Sequence, residues 1–518
     1  MAKLERVDVC VVGAGPGGAT VALKCAQAGM KVVVLEAGPL RYPVKYDENE
    51  FFAFAWDSTE VPAVYDPETT AKNINRGKCV GGSTIHWTQV CPRFHESHFR
   101  MKSLHGVAED WPIGWKDLAP YYDRVERLWG VAGLSGNPFE TPRGPYPMPP
   151  HPFTTPSKIL KRGADKLGWN FHPAPMGANS VPYDGRPACE YCNNCLAGCP
   201  TGAKAGALSV LYPKALRAGA EFRTGCFATR VNLDAKGRAR SVSYLDETGA
   251  GMEQAARIIV VSGNAIESPR LLLLSANPLF PDGLANSSGL VGKNLMRHPI
   301  QVHAGMLPDE ITENWRSAST HGVVLDFHVS KKGEYPGGLM LEHLSYGPAT
   351  HSLVMSQLWG EALKDHMRHY RNMVMLYAMI EDLPQDTNEV TLDPKVKDAR
   401  GFPVARIRSV YTKEDFALLA KGSTRAKAVL AAAGATRTFS APIGDTGHLL
   451  GTCRMGTNPK TSVLNPFCQT HDVRNLFVVD GSNFVTSASV NPTLTIGAIA
   501  MRASDYLVTQ AKEGAFPA

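Results

Sequence analysis

An α/β fold carrying a second, antiparallel sheet is what this sequence predicts, and two observations predict it. The opening stretch, Val7 to Glu36, reads apolar run, glycine turn, helical pattern, apolar run. Further on, between about residues 300 and 410, short segments such as Gly322–His328 and Glu389–Leu392 alternate apolar with polar residues, the period of antiparallel strands.

The opening stretch is the more informative. Val7–Val12 leads directly into Gly13–Ala14–Gly15–Pro16–Gly17–Gly18, a helical pattern runs from Ala19 to Ala28, and Val32–Leu35 ends at Glu36. This order makes a Rossmann-like βαβ unit that binds a dinucleotide. Gly13 allows the tight turn, Gly15 lets the backbone approach a pyrophosphate, and Gly18 lets the helix pack closely on the strand. The helix start offers N–H groups and partial positive charge to the phosphates. Glu36 can accept hydrogen bonds from a ribose, while Pro16 and Ala37 flank these positions as further contacts. The motif by itself fits FAD and NAD equally. No second such fingerprint occurs, so a small substrate, not a nicotinamide domain, is the expected reductant.

At 518 residues the chain is long enough for more than one domain. Hydrophobic residues make up 44% and charged residues 20%, with a net charge of +6 and no dense basic run. That describes a soluble globular protein and argues against nucleic acid as a partner. The first strand begins after about six residues, which leaves no room for a cleavable signal. No apolar run approaches the length of a membrane span. The expectation is a cytoplasmic chain, or a periplasmic one exported with a signal-bearing partner.

After Glu36 a proline- and aromatic-rich stretch runs to about Asn75, followed by a second glycine turn, RGKCVGGSTIHW. Helical patterns fall at Lys116–Trp129, Pro156–Leu167, Ala203–Ala218 and Lys413–Ala433. Strand patterns fall at Glu221–Thr224, Ala228–Leu233, Arg240–Leu245 and Ala256–Val261. From Gly447 the chain is glycine-rich again and ends in the apolar helical pattern Thr495–Leu507.

Of eleven cysteines, Cys10, Cys25, Cys79, Cys91, Cys226, Cys453 and Cys468 are scattered, several in apolar patterns, and read as small buried hydrophobes. The other four form CEYCNNCLAGCP, the C-x2-C-x2-C-x3-C-P spacing of bacterial ferredoxin runs. Four thiolates in one loop suit an iron–sulfur centre better than zinc, which usually draws cysteine pairs from separated turns.

Three more stretches, GKCVGGSTIHW (77–87), SGNAIESPRLLLLS (262–275) and HLLGTCRMG (448–456) with NLFVVDGSNFVTSASVNPTLTIGAIAMRASDYL (475–507), join the first. With KNLMRHP (293–299) and NEVTLDP (388–394), they make the chain resemble the glucose–methanol–choline oxidoreductase family over nearly its whole length. The second stretch has Ala276–Asn277 where that signature usually has glycine. The resemblance implies FAD, bound by a domain of residues 1–95, 203–310 and 455–518. It also implies a substrate domain of 96–202 and 311–454, whose antiparallel sheet roofs the flavin and which includes the cysteine loop, 186–202.

Site residues follow from the same likeness. His448 stands where the family keeps its active-site base, and histidine titrates near the pH such a base needs. Asn491 stands where the family has a second histidine or an asparagine, and would orient the substrate oxygen. Gly77, Gly81, Gly82, Ser83, His86, Trp87, Asp480, Gly481, Asn491 and Thr493 join the cofactor contacts, and Ala228 would lend a backbone contact to adenine. The segment around His86 is similar to the pyranose 2-oxidase branch, where this histidine carries flavin covalently; both a covalent and a non-covalent attachment stay open. Bacterial sugar dehydrogenases of the family, with a small helper subunit, hold a three-iron cluster by C-x5-C-x3-C. Cys189, Cys195 and Cys199 fit that spacing, which favours 3Fe-4S, and Cys192 is a spare or the ligand for a 4Fe-4S cluster.

A hydride delivers two electrons together, whereas a cytochrome c takes them singly, and a cluster mediates between the two. The expected activity is therefore dehydrogenation of a secondary or anomeric hydroxyl of a sugar or glycoside. A pyranose oxidase-like enzyme reducing oxygen to hydrogen peroxide, and a lyase with a structural flavin, are the alternatives. Between Ile311 and Arg437 no motif reads out the substrate; His343, His351, Gln357 and Trp359 are the tempting sugar contacts.

Overall fold

Val9, Cys10 and Val11 lie in a strand covered on both faces, and that placement organises the molecule. β1 (Ala2–Val12), α1 (Pro16–Gln27) and β2 (Val32–Leu35) form the expected unit. β1 runs parallel to β2 on one side and to strand Gly251–Val261 on the other. Glu221–Arg223 extends the sheet beyond β2, also in parallel. On the far side Ala239–Leu245 and Phe227–Leu233 continue it as an antiparallel meander. Leu476–Val478, from near the end of the chain, pairs in parallel with the last residues of strand 251–261. The C-terminal helix Thr493–Lys512 packs on α1. The computed structural model describes residues 2–41 and 63–516, apart from 71, 73, 312–315, 332, 333, 335, 356 and 446; most of the proline- and aromatic-rich stretch after Glu36 lies outside the described residues.

A second sheet is antiparallel, with strands in the order 437–440, 299–306, 373–380, 339–344, 322–324 and 171–173. Alternation divides its faces. Leu339, Leu341, Val374, Leu376, Ala378 and Ile380 pack under helix Lys413–Ala432 through Leu418, Leu419, Ala426, Val429 and Leu430. Ile300, Leu344 and Tyr377 face the other way, into the cavity described below. Thr412 and Asp415 start the helix with a reciprocal cap, Asp415 N to Thr412 Oγ1 at 3.1 Å and Thr412 N to Asp415 Oδ2 at 2.7 Å.

Three segments differ from the sequence expectation. Residues 203–206 are not helical: a wide π turn occupies Ala207–Leu211 and the helix covers only Tyr212–Arg217. Tertiary hydrogen bonds hold the preceding backbone, Trp87 Nε1 to Ala205 O at 3.0 Å and Ala207 N to Thr84 Oγ1 at 3.0 Å. The alternating run from Gly322 is a strand only to Val324. Strand Pro299–Met306 belongs to the second sheet, so the chain crosses between sheets inside the segment assigned above to the first domain.

A Cβ on Gly17 would stand 2.0 Å from the carbonyl oxygen of Val479, a backbone atom that cannot step aside. Gly17→Ala is expected to destabilise the protein by at least ~1–3 kcal/mol through overpacking. Thermal unfolding checks this, and an unchanged midpoint would refute so tight a junction.

Candidate active site

The carboxyl ends of β1, β2 and strand 251–261 open on a cavity of about 400 Å³, where open α/β sheets bind their ligands. The opening unit contributes Gly13, Gly15, Pro16, Glu36 and Ala37 to its wall, and the second glycine turn Gly77, Gly82, Ser83, His86 and Trp87. Ala228, His448, Asp480, Gly481, Asn491 and Thr493 complete the set of sequence-derived residues that line it. Gly18 and Gly81 stand behind the wall. A Cβ on Gly18 would meet Gly13 O at 2.1 Å, so the helix packs on the turn as closely as glycine alone permits. Gly81, at φ +108°, donates its N–H to Ala14 O at 3.0 Å and ties the two glycine turns together.

Several features fit FAD. Among the described residues, a Cβ on Gly15 would meet nothing within 4 Å and no side chain caps the start of α1, which leaves N–H groups for phosphate. Each Glu36 oxygen accepts one backbone N–H, from Ala14 at 2.8 Å and Gly38 at 2.8 Å, which holds the carboxylate at the wall. Burial pushes its pKa up to about 7. Asp480 is a clamp: it accepts from Asn264 N at 2.9 Å, Ser268 Oγ at 2.5 Å and Ser482 N at 2.8 Å. Gly481 then meets the histidine-bearing loop, its carbonyl accepting from Gly451 N at 3.0 Å, and a Cβ there would lie 2.5 Å from Leu449 O.

His448 and His298 stand Nδ1 to Nδ1 at 2.8 Å with their rings at 86°. Burial, and then the neighbouring His298, hold the His448 pKa well below the usual range, so the ring is neutral at pH 7. The Asn491 side-chain oxygen is buried at the cavity with no partner among the described residues. Behind it Glu342 accepts from the hydroxyl of Tyr377 and from Thr320 Oγ1 at 2.8 Å, and burial raises its pKa to about 7. Glu342 and Tyr377 are directly opposed across neighbouring strands, and Tyr377 lines the cavity.

None of the four tempting roof residues lines this cavity. His343 is fully buried in its strand, one position out of phase with Glu342 and Leu344. His351 pairs Nε2 to Nε2 with His366 at 2.8 Å, Gln357 bonds Ser440 O at 2.9 Å, and Trp359 is 83% exposed. Ile300, Leu344, Tyr346 and Tyr377 form the roof in their place. Sequence reasoning missed these, along with His298, although His298 sits within the family-like segment KNLMRHP.

The cysteine loop abuts the cavity. Leu196 lines it, and the Leu196 carbonyl oxygen accepts from His86 Nδ1 at 2.7 Å. Burial lowers the His86 pKa to about 4. The loop is tightly coiled, with Tyr191, Asn193 and Gly198 at positive φ. Each sulfur of the expected triad accepts an N–H: Cys189 from Tyr191 N at 3.4 Å, Cys195 from Gln89 Nε2 at 3.2 Å, Cys199 from Lys204 N at 3.4 Å. Lys204, 6% exposed, donates from Nζ to Ile85 O at 2.6 Å and Cys195 O at 2.5 Å. Burial lowers the Lys204 pKa, and the neighbouring cysteines Cys195, Cys199 and Cys192 act in the opposite direction. The expectation of a ready-made ligand set is corrected in one respect: among the described residues no three His, Cys, Asp or Glu side chains form a metal-holding group. Cys195 is turned inward toward Gln89, Cys189 and Cys199 are half-buried, and Cys192 is exposed.

A dinucleotide turn in a parallel sheet, beside a neutral histidine under an antiparallel roof, defines an oxidoreductase of flavin type. The chain belongs to the GMC oxidoreductase family, whose models match residues 10–300 and 384–500. It is 38% identical to 2-methyl-1,2-propanediol dehydrogenase of Mycolicibacterium austroafricanum, over 97% of this chain and 95% of that protein. With the fructose dehydrogenase large subunit of Gluconobacter japonicus it shares 30% identity over 98% of each chain. With 6'''-hydroxyparomomycin C oxidase of Streptomyces lividus it shares 31%, over 96% of this chain and 91% of that protein. Pyridoxine 4-oxidase from Mesorbium loti has the same fold, with a TM-score of 0.72 at 18% identity over 96% of this chain and 98% of that one.

Gly15→Ala separates cofactor binding from folding. The cofactor-free protein is expected to keep its stability within about 0.5 kcal/mol, because the methyl group meets open space. FAD affinity, measured by flavin fluorescence titration, is expected to fall about tenfold or more, a loss of about 1.4 kcal/mol. Unchanged affinity would mean that the pyrophosphate does not pass Gly15.

Proposed function

We propose that this chain is the catalytic subunit of an FAD- and iron–sulfur-dependent dehydrogenase. It oxidises a secondary or anomeric hydroxyl of a sugar or glycoside and passes electrons singly to a cytochrome c. A small signal-bearing subunit, and through it a periplasmic location, belongs to the same proposal. The observation that carries it is the cysteine loop in the cavity wall, joined to His86 through Leu196. An enzyme handing both electrons to oxygen has no need of such a loop. The diol and fructose dehydrogenases among the relatives support a CH–OH substrate, and the second is itself a large subunit.

FAD, when bound, supplies the acceptor for a hydride, and an iron–sulfur centre, if held by Cys189, Cys195 and Cys199, with or without Cys192, would supply one-electron transfer. The buried Lys204 ammonium would balance the negative charge of such thiolates. His448 takes the hydroxyl proton as the hydride leaves the carbinol carbon, so that C–OH becomes C=O and the imidazole gains the proton. Its neutral ring is the form a base requires. Asn491 offers its unpartnered oxygen to orient a substrate hydroxyl. Leu344, Tyr346 and Tyr377 keep water from the reacting carbon.

A panel of sugars, sugar alcohols and glycosides, added anaerobically, is expected to bleach the flavin. His448→Ala is expected to retain FAD while bleaching slows by about a hundred- to ten-thousand-fold. Cys195→Ser is expected to lose iron and cytochrome reduction while bleaching by substrate persists. If the wild-type protein, prepared anaerobically, contains no iron and its reduced flavin is reoxidised promptly by oxygen, the oxidase reading replaces this one. The relatives named as oxidases are the observation in favour of that second reading.

A further inference from the structure

We infer that His298 fixes the tautomer of His448 and thereby decides which ring nitrogen of the base meets the substrate. The inference rests on the reading of His448 as the base. His298 is fully buried, and its Nε2 faces two carbonyl oxygens, Ala488 O at 2.8 Å and Ser487 O at 3.2 Å. Carbonyl oxygens only accept, so Nε2 carries a proton. Burial lowers the His298 pKa to about 4, the ring is neutral at pH 7, and its Nδ1 therefore holds a lone pair. That Nδ1 lies 2.8 Å from His448 Nδ1, a distance that calls for one proton between the two nitrogens. The proton belongs to His448, whose lone pair is left on Nε2, on the far side of a ring that lines the cavity. The other tautomer would oppose two lone pairs at 2.8 Å.

The same bond serves the next step. Once His448 gains the substrate proton, its Nδ1–H still donates to His298, now from a charged ring and hence more strongly. His298 steadies the imidazolium by accepting that bond at its Nδ1.

The surroundings are built for this. Ala488 is a non-glycine residue at φ +55°, a left-handed conformation disfavoured for a side chain, and its carbonyl accepts from His298. Asp382 clamps the two segments together. Its carboxylate accepts from Arg297 N at 2.6 Å, its N–H donates to Ser487 Oγ at 3.0 Å, and its carbonyl accepts from the same hydroxyl at 2.8 Å.

The test is nitrogen-15 NMR of histidine-labelled, FAD-bound protein, with His448 assigned by its loss in His448→Ala. The wild type is expected to show His448 protonated at Nδ1; protonation at Nε2 would overturn the inference outright. His298→Gln keeps an acceptor for His448 and a donor for Ala488, and should retain that tautomer and flavin reduction within about tenfold. His298→Leu should lose both, with reduction by the fastest panel sugar slowed about a hundredfold at saturation. FAD content should stay at the wild-type level in both variants. If His298→Leu keeps the tautomer and reduces within about threefold of wild type, His298 has no such role. Should His298→Leu not fold, a switched tautomer in His298→Gln overturns the inference and a retained one supports it. His448→Ala distinguishes the two levels: wild-type bleaching there removes the base itself, whereas slow bleaching there with normal His298→Leu removes only the positioning role.

Discussion

Three segments distant in sequence meet backbone to backbone at the carboxyl edge of the parallel sheet, and the rest of the site depends on that contact. A Cβ on Gly13 would stand 2.3 Å from Ser262 O, and one on Gly17 2.0 Å from Val479 O. Ser262 Oγ bonds Val479 O at 2.7 Å across the same point. No side chain larger than hydrogen fits at either glycine. The contact sets where Asp480 and Gly481 emerge, and Gly481 sets how closely the loop bearing His448 approaches the β1 turn.

Chemistry at this junction is governed by exclusion of water. Burial disfavours the charged form of both His298 and His448, so the pair waits neutral, and one hydrogen bond between them decides where the lone pair points. The roof uses burial differently. It keeps a carboxyl group, Glu342, behind Tyr377, where the hydroxyl and Thr320 satisfy it. On the other wall Lys204 brings a cation to the cysteine loop through backbone carbonyls.

Legibility in the sequence followed how local each constraint is. The β1–α1–β2 unit could be read because its glycines, apolar runs and closing acid lie within thirty or so residues and each answers a local steric demand. Helix 413–432 could be read because its cap and apolar positions are contiguous. Residues 203–206 could not: small, helix-tolerant residues are held extended by Thr84 and Trp87, which propensity does not register. His343 drew attention in the sequence as a sugar contact, whereas Tyr377 carried no signal there. Strand phase sends Tyr377 to the cavity face and keeps His343 from it, and phase is a property of the assembled sheet.

The amino-acid sequence alone determined the dinucleotide turn, the family likeness, the cysteine spacing and the histidine in HLLGTCRMG, because each is carried by neighbours along the chain. Only the tertiary structure decided that His298 faces His448, that Glu342 backs Tyr377, and that Leu196 brings the cysteine loop to the cavity. Those pairs are separated by 150, 35 and 110 residues. Nothing local encodes them; they exist because burying two sheets against one another leaves each polar group only the partner that the packing brings within reach.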